Sequence, residues 1–270
     1  MNNNWRKYQG ALVSNFSPHS NVDISNTISE LKKSRSMFAR WVTDFDCKDE
    51  TDFWYVIQDR GMGISDYSRN TRNQIRKGLK IFIIKQVSVN EIKKNAYIIY
   101  LNTFKKYNTF IKVKTIDEFE LEILPTMDYW GVYVNDELVG YAQNRIYEDC
   151  CDYATIKILP KYIRDYPFYA LFYTMNLHYL KKLDIKYVHN GARSIAHYTN
   201  IQDFLIKKFK FRKAYCKLHI VYRPVFGFLV MLFFPFRSII KYFSFNIFRK
   251  LDIILKQEEI RRACKKQLPC

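Results

Sequence analysis

The sequence predicts an α/β protein of the α+β kind: a mixed, mainly antiparallel sheet flanked by helices. A short N-terminal extension and a C-terminal amphipathic helical tail complete it. Three observations carry this expectation. Along the middle of the chain, β-branched runs alternate with segments of helical period. One hairpin is plainly written, Tyr129–Val134 and Leu138–Ile146 around Asn135-Asp136-Glu137, residues that tolerate turn geometry. Apolar residues make up 48% of the 270, enough for a sizeable core, so general disorder is excluded.

In chain order, residues 1–80 form a polar, basic subdomain with one evident strand, Phe53–Ile57, ending in the turn Asp59-Arg-Gly61-Met-Gly63. A helix follows from Ser65 to about Lys80. Arg69, Arg72, Arg76 and Lys80 fall three, four and four residues apart, hence on one face of it. Residues 81–222 form the second part. Ile81–Val87 reads as a strand, and Ser88 caps a helix running to about Tyr107. A short helix over Asp117–Leu124 is stopped by Pro125. The hairpin comes next, then an acidic turn at Glu148–Asp152 and a strand over Tyr153–Leu159. Pro167 opens a helix to Leu183, a position that suits proline. Ile185–His189 is a short strand, Asn200–Phe209 a helix, and Phe211–Tyr222 one long strand or two joined ones. The order β-α-α-β-β-β-α-β-α-β demands both hairpin and crossover connections.

Residues 223–270 differ in character. Val225–Phe236 is an unbroken run of 12 residues without charge, and Ile239, Phe243, Ile247 and Leu251 recur beyond it at helical spacing. The stretch after Arg223 carries nine basic and three acidic residues, a local charge of +6. A run of this length falls short of the roughly 20 residues that cross a bilayer. An interfacial anchor over 225–262 on an anionic membrane is one expectation; a helix packed on the protein's own core is the other.

Lys and Arg number 44 against 26 Asp and Glu, a net charge of +18. Such an excess concerns partners: phosphorylated or lipid-linked substrates, anionic lipid, or tRNA. Eight glycines, no Walker A, no G-x-G-x-x-G, no HExxH and no G-x-S-x-G exclude P-loop, Rossmann, zinc-protease and serine-hydrolase readings. Six cysteines without a CxxC pair read as reduced thiols, and Met1–Tyr8 has no apolar core. Both features fit a cytoplasmic protein, peripheral on the inner face of the plasma membrane. Glu148–Asp152 is expected to be a turn rather than a metal site, because successive strand residues point to opposite faces.

The segments Trp130-Gly-Val-Tyr-Val-Asn-Asp-Glu-Leu-Val-Gly-Tyr-Ala142 and Asn200-Ile-Gln-Asp-Phe-Leu-Ile-Lys-Lys-Phe-Lys-Phe-Arg212, in this order, resemble the GNAT acyltransferase fold over residues 81–222. Where that family carries Gln/Arg-x-x-Gly-x-Gly/Ala, this chain reads Arg164-Asp-Tyr-Pro167-Phe-Tyr169: proline removes a donor and Tyr169 adds bulk. The aromatic helix after Pro167 and the basic segment Ser68–Gly78 are more similar to the FemAB-like branch, the peptidoglycan bridge aminoacyltransferase-like proteins. Residues 1–80 are too short for the second domain of complete members, so any first copy is truncated.

The resemblance implies transfer of an acyl or aminoacyl group to an amine or hydroxyl of a cell-envelope or glycan precursor. Acyl-CoA or aminoacyl-tRNA would be the donor, with no metal. It directs attention to the strand ending at His189. Asn190 would orient the donor, Arg193 hold a phosphate or carboxylate, His197 and Tyr198 act as base and acid, and Tyr153 serve as an alternative acid or base. Arg164, Phe168 and Tyr169, with the Arg69/Arg72/Arg76/Lys80 face, would contact the donor's phosphates; the same face also reads as simply solvated. A catalytically inactive basic adaptor binding anionic lipid or RNA is the rival reading.

Overall fold

The computed structural model describes residues 4–8, 10–106, 112–195, 200–240, 242–243 and 245–266. Its strands are β1 (Trp5–Tyr8), β2 (Ala11–Ser14), β3 (Phe38–Cys47), β4 (Phe53–Gln58), β5 (Ile83–Val87), β6 (Asp128–Val134), β7 (Glu137–Ile146), β8 (Cys150–Ile158), β9 (Tyr187–Ala192) and β10 (Arg212–Tyr222). Its helices are α1 (Thr27–Ser34), α2 (Arg69–Ile81), α3 (Val89–Asn95), α4 (Tyr97–Phe104), α5 (Ile116–Leu121), α6 (Pro167–Leu177), α7 (Asn200–Phe209), α8 (Pro224–Phe233), α9 (Arg237–Ile240) and α10 (Asn246–Lys266). The class is α+β with mostly antiparallel pairing, as the sequence predicts.

The chain divides into two compact units. The first joins residues 1–55, 192–199 and 213–270; the second holds 56–191 and 200–212. The consecutive division expected at 80 and 222 therefore does not describe the packing. The physical reason is β10, which pairs antiparallel with β3 from Phe38 to Cys47 and so draws the chain's late segment onto its early one.

In the first unit the strand order is β1-β2-β3-β10, with β2 parallel to β3 across the α1 crossover. The sequence reading finds none of β1, β2, α1 or β3. Their alternation is masked because basic and polar residues occupy half-buried positions, as in Arg40 and Thr43 of β3. The core joins Phe38, Val42, Phe53, Leu218 and Ile220 to Val230, Ile240, Ile254, Leu255 and Ile260 of the tail helices. The tail thus packs on its own unit along one side. The buried side of α10 also carries Gln257 and Glu258, so this helix is not simply amphipathic.

In the second unit β5 to β8 form an antiparallel meander, and β9 returns parallel to β8 through α6. Asn135 and Asp136 take φ of 47° and 65°, the two left-handed positions of a type I′ hairpin turn, which fixes the register of β6 on β7. Ser88 and Thr115 cap α3 and α5 through their hydroxyls, the latter in a reciprocal capping box with Glu118. Ile92, Ala96, Ile99, Phe119 and Ile123 cover one side, against Tyr129 and Tyr141.

The helix expected over 88–107 is broken at Ala96, which ends α3 and begins α4. Helix α6 ends in a π turn over His178–Lys182, closed by Leu183 N–H to the His178 carbonyl at 2.9 Å. Strand β8 starts three residues earlier than expected, because Cys150 accepts from Tyr147 N–H to close the preceding turn. Strand β9 runs three residues beyond His189.

Candidate functional site

Strands β8 and β9 are joined by only three parallel pairs, Cys150↔Tyr187, Cys151↔Val188 and Asp152↔His189. β8 continues to Ile158 paired with β7, from Gln143↔Thr155 to Gly140↔Ile158, whereas on its β9 side the pairing stops at Asp152, so residues 153–158 are left unpaired along that edge. At the parting a side chain replaces the ladder. Asn190 Nδ2 donates to the Tyr153 carbonyl at 3.3 Å, and the Asn190 carbonyl accepts from Gln202 Nε2 at 3.3 Å. Gly191, at φ +72°, turns its N–H onto His189 Nδ1 at 3.2 Å. Only a left-handed residue allows that turn-back, which is why glycine stands there.

Ionisable groups meet at the same point. Asp152 Oδ1 lies 3.5 Å from His189 Nδ1, and its Oδ2 lies 3.5 Å from Arg145 Nη1. Asp152 and His189 are both buried. Behind them Tyr153 Oη donates to Asn176 Oδ1 at 2.8 Å. Among the described residues Asn176 Nδ2 and the buried Tyr67 Oη have no hydrogen-bond partner. Burial pushes the Tyr67 phenol up to about 12. Burial also pushes the Tyr153 phenol far up, so it stays protonated and acts as a donor. The same cause raises Cys150 to about 12 and Cys151 well above its usual range; both are inert thiols.

The start of α6 lies in the same unit. Tyr166 is left-handed at φ 67°, Pro167 has no N–H, and the N–H groups of Tyr169 and Ala170 both bond the Tyr166 carbonyl. The donors usual at a helix N-terminus are thus largely taken. Tyr169 is buried, its ring edge-on to Phe204 of α7 at 4.9 Å and near Phe209 at 5.8 Å. It fills the space between α6 and α7 rather than lining an opening there. Phe168 stacks on Phe172, and Arg164 is exposed. Helix α2 packs against this corner at Gly78, where a Cβ would stand 2.5 Å from the Tyr166 carbonyl oxygen.

The remaining expected residues divide. Arg69, Arg76 and Lys80 are exposed, while Arg72 turns back to the carbonyls of Ser65 and Tyr67 at 3.1 and 3.2 Å. Arg193 belongs to the first unit, donating to the Asp52 carbonyl at 2.6 Å and from its N–H to the Trp54 carbonyl at 2.7 Å. His197 and Tyr198 lie outside the described residues. Sequence reasoning does not single out Tyr67, Arg145 or Asn176. Asn176 carries a signal, being the one amide in α6, whose other residues apart from Thr174 are aromatic or apolar. Tyr67 and Arg145 carry none.

No protein-family model matches the sequence, and no curated protein does. Solved structures do. A domain from Agrobacterium fabrum, the C-terminal domain of a protein described as a lysylphosphatidylglycerol synthetase, superposes with a TM-score of 0.56 at 10% identity, covering 84% of this chain and 83% of that one. FemX superposes with a TM-score of 0.50 at 9% identity, covering 76% of this chain and 71% of its own. The chain therefore has a GNAT/FemAB-like fold.

Proposed function

We propose that the protein is an acyl- or aminoacyltransferase acting on an amine or hydroxyl of a cell-envelope or glycan precursor, with acyl-CoA or aminoacyl-tRNA as donor. The observation that carries this reading is the parting of β8 from β9 after three pairs. An open strand edge offers backbone N–H and C=O groups to an extended ligand that carries amides, as in strand addition. On this reading the donor lies along residues 153–158 and Asn190 orients its carbonyl group. The acceptor attacks that carbonyl carbon, a C–N or C–O bond forms, and the donor's thioester or ester bond breaks. The acceptor's proton passes through solvent to the leaving sulfur or oxygen. Main-chain N–H groups of the open edge steady the developing oxyanion.

The tail supports a seat on an anionic membrane surface, peripheral on the inner face of the plasma membrane. Val225, Phe228 and Met231 of α8 are 78%, 59% and 59% exposed, and Phe236, Ile239, Phe243, Phe245 and Ile247 continue the apolar surface. No helix among the described residues is long and apolar enough to cross a membrane, so apolar side chains entering the acyl boundary with Arg237, Arg249 and Lys250 at the head groups fit best. A neighbour described as a lysylphosphatidylglycerol synthetase favours an aminoacyl donor and a lipid-linked acceptor. Exposed Arg69, Arg76 and Lys80 suit the pyrophosphate of such an acceptor, or tRNA.

Purified protein supplied with labelled acyl-CoA or charged tRNA and a membrane extract is expected to label an acceptor, and Asn190→Ala to slow that labelling. Absence of transfer from both donors overturns the reading. The inactive basic adaptor is favoured by one observation, the filling of the α6–α7 space by Tyr169 and Phe204. It requires that Asn190→Ala leave cellular function intact while charge reversal at Arg69, Arg76 and Lys80 abolishes it.

A further inference from the structure

A second polar feature lies in the first unit. Arg6 pairs with Val13 across β1–β2, and Val13 pairs with Arg40 across β2–β3. Laterally paired residues share a sheet face, so the two guanidinium groups stand on one side, separated by a single valine. It is the core side, since Arg40 pairs in turn with the buried Ile220 of β10.

Neither arginine has a carboxylate partner among the described residues. Arg40 Nη1 donates to Gln257 Oε1 at 2.8 Å, an uncharged acceptor. Arg6 places its guanidinium 5.5 Å from the Tyr8 ring, and its buried Nε has no hydrogen-bond partner. Desolvation pulls the Arg40 pKa down, and the neighbouring positive charge of Arg6 acts in the same direction. A guanidinium drawn out of water beside a second, half-buried one is costly to hold without an anion, and such burial is stable when an anion completes it.

We propose that Arg6 and Arg40 form a binding site for a phosphate group. The planar forks of two arginines match phosphate oxygens in a way that point-charge ammonium groups do not, and Gln257 and Tyr8 supply neutral polar neighbours. β1 is the edge strand of this unit, and Arg6 on it is half-buried while the neighbouring Tyr8 is exposed. Phe38, two residues before Arg40 and on the same face, stacks with Phe226 of α8 at 6.5 Å, which brings the exposed apolar helix over the adjacent row. That juxtaposition of paired arginines and an apolar helix suits the phosphodiester of an anionic phospholipid. A free phosphate or pyrophosphate offers the same chemistry, and the test separates the two.

The full chain, the Arg6→Gln variant and the Arg40→Met variant are compared by thermal denaturation in inorganic phosphate, in pyrophosphate, and in chloride of equal ionic strength. Co-sedimentation with phosphatidylcholine vesicles, with and without phosphatidylglycerol, provides the lipid arm. For the lipid source, phosphatidylglycerol binding falls about tenfold in each variant, the scale of a lost charge-assisted contact, while binding to pure phosphatidylcholine is unchanged. For the free source, phosphate or pyrophosphate raises the melting temperature of the parent protein beyond chloride, and both variants lose the rise. Arg6→Gln lies on an edge strand and keeps the fold testable where Arg40→Met does not. Parent-like behaviour of the variants in both arms overturns the site, as does a parent protein that responds to neither phosphate nor phosphatidylglycerol. No arm measures group transfer, so failure here leaves the β8–β9 reading standing, and failure of transfer leaves this site standing.

Discussion

In the first unit, charged groups lie inside while large apolar side chains lie outside. Glu258 is 2% exposed and holds Arg261 at 2.6 Å, Arg262 at 2.7 Å and the Tyr222 hydroxyl at 2.9 Å. Arg40 is enclosed nearby in the fold, yet α8 leaves most of its apolar surface uncovered. The second unit hides mainly uncharged polar groups. Tyr179 Oη accepts from Trp130 Nε1 at 2.9 Å and Asn144 Nδ2 at 3.2 Å and donates to Asp128 at 3.1 Å. Apolar surface left in water at such scale marks an interaction site, whereas a buried neutral network fixes a single packing. The proposed function asks of the first unit a partner outside it, and of the second a ligand held within.

Removal of the Glu258 carboxylate strains this contrast most. Glu258→Ala leaves two arginines and a tyrosine without their anion, and a loss of about 3–5 kcal/mol is expected in urea unfolding. Burial alone would raise the Glu258 carboxyl, but hydrogen bonds from Arg261, Arg262 and Tyr222 outweigh it and hold the pKa below the usual range. A depressed folded pKa gives stability that is full above the unfolded value, about 4.3, and fades as pH falls through the folded one. An acid titration of stability is therefore expected to lose amplitude in Glu258→Gln.

Tyr179→Phe strands Trp130 and Asn144 in the second unit and is expected to cost about 1–3 kcal/mol in urea unfolding. Gly78→Ala, a change that favours an isolated helix, is expected instead to destabilise by about 1–3 kcal/mol because the new methyl meets the Tyr166 carbonyl. Smallest is Phe228→Asp on the open face of α8. Stability is expected to stay within about 0.5 kcal/mol, while sedimentation with anionic vesicles drops. A large loss of stability with unchanged vesicle binding would erase the distinction between the units.

The second unit was largely legible from sequence because its elements carry strong local signals. Asn135-Asp136 sets a turn, Ser88 and Thr115 set caps, and Pro167 opens a helix. The first unit was not, since β3 takes its partner from residues 215–222 and its half-buried charges blur the alternation. The site shows the same limit. Asn190 and Gly191 stand out in the sequence, but Asn176 meets Tyr153 only through the packing of α6, and Arg145 meets Asp152 only through the pairing of β7 with β8. Tyr153, which reads as a free acid or base, is enclosed and bonded to Asn176. Periodicity shows which residues turn inward, not which inward residues meet.

The pairing of β3 with β10 also bears on how the polypeptide is made. Synthesis proceeds from the amino terminus, and domains fold as they emerge, so the meander and its helices have all their strands before β10 exists. Strands β1 to β3 must wait, with the β3 edge unpaired, while the whole meander of the second unit is made. Closing so long a loop is slow, which makes this interval the one in which a chaperone would matter most.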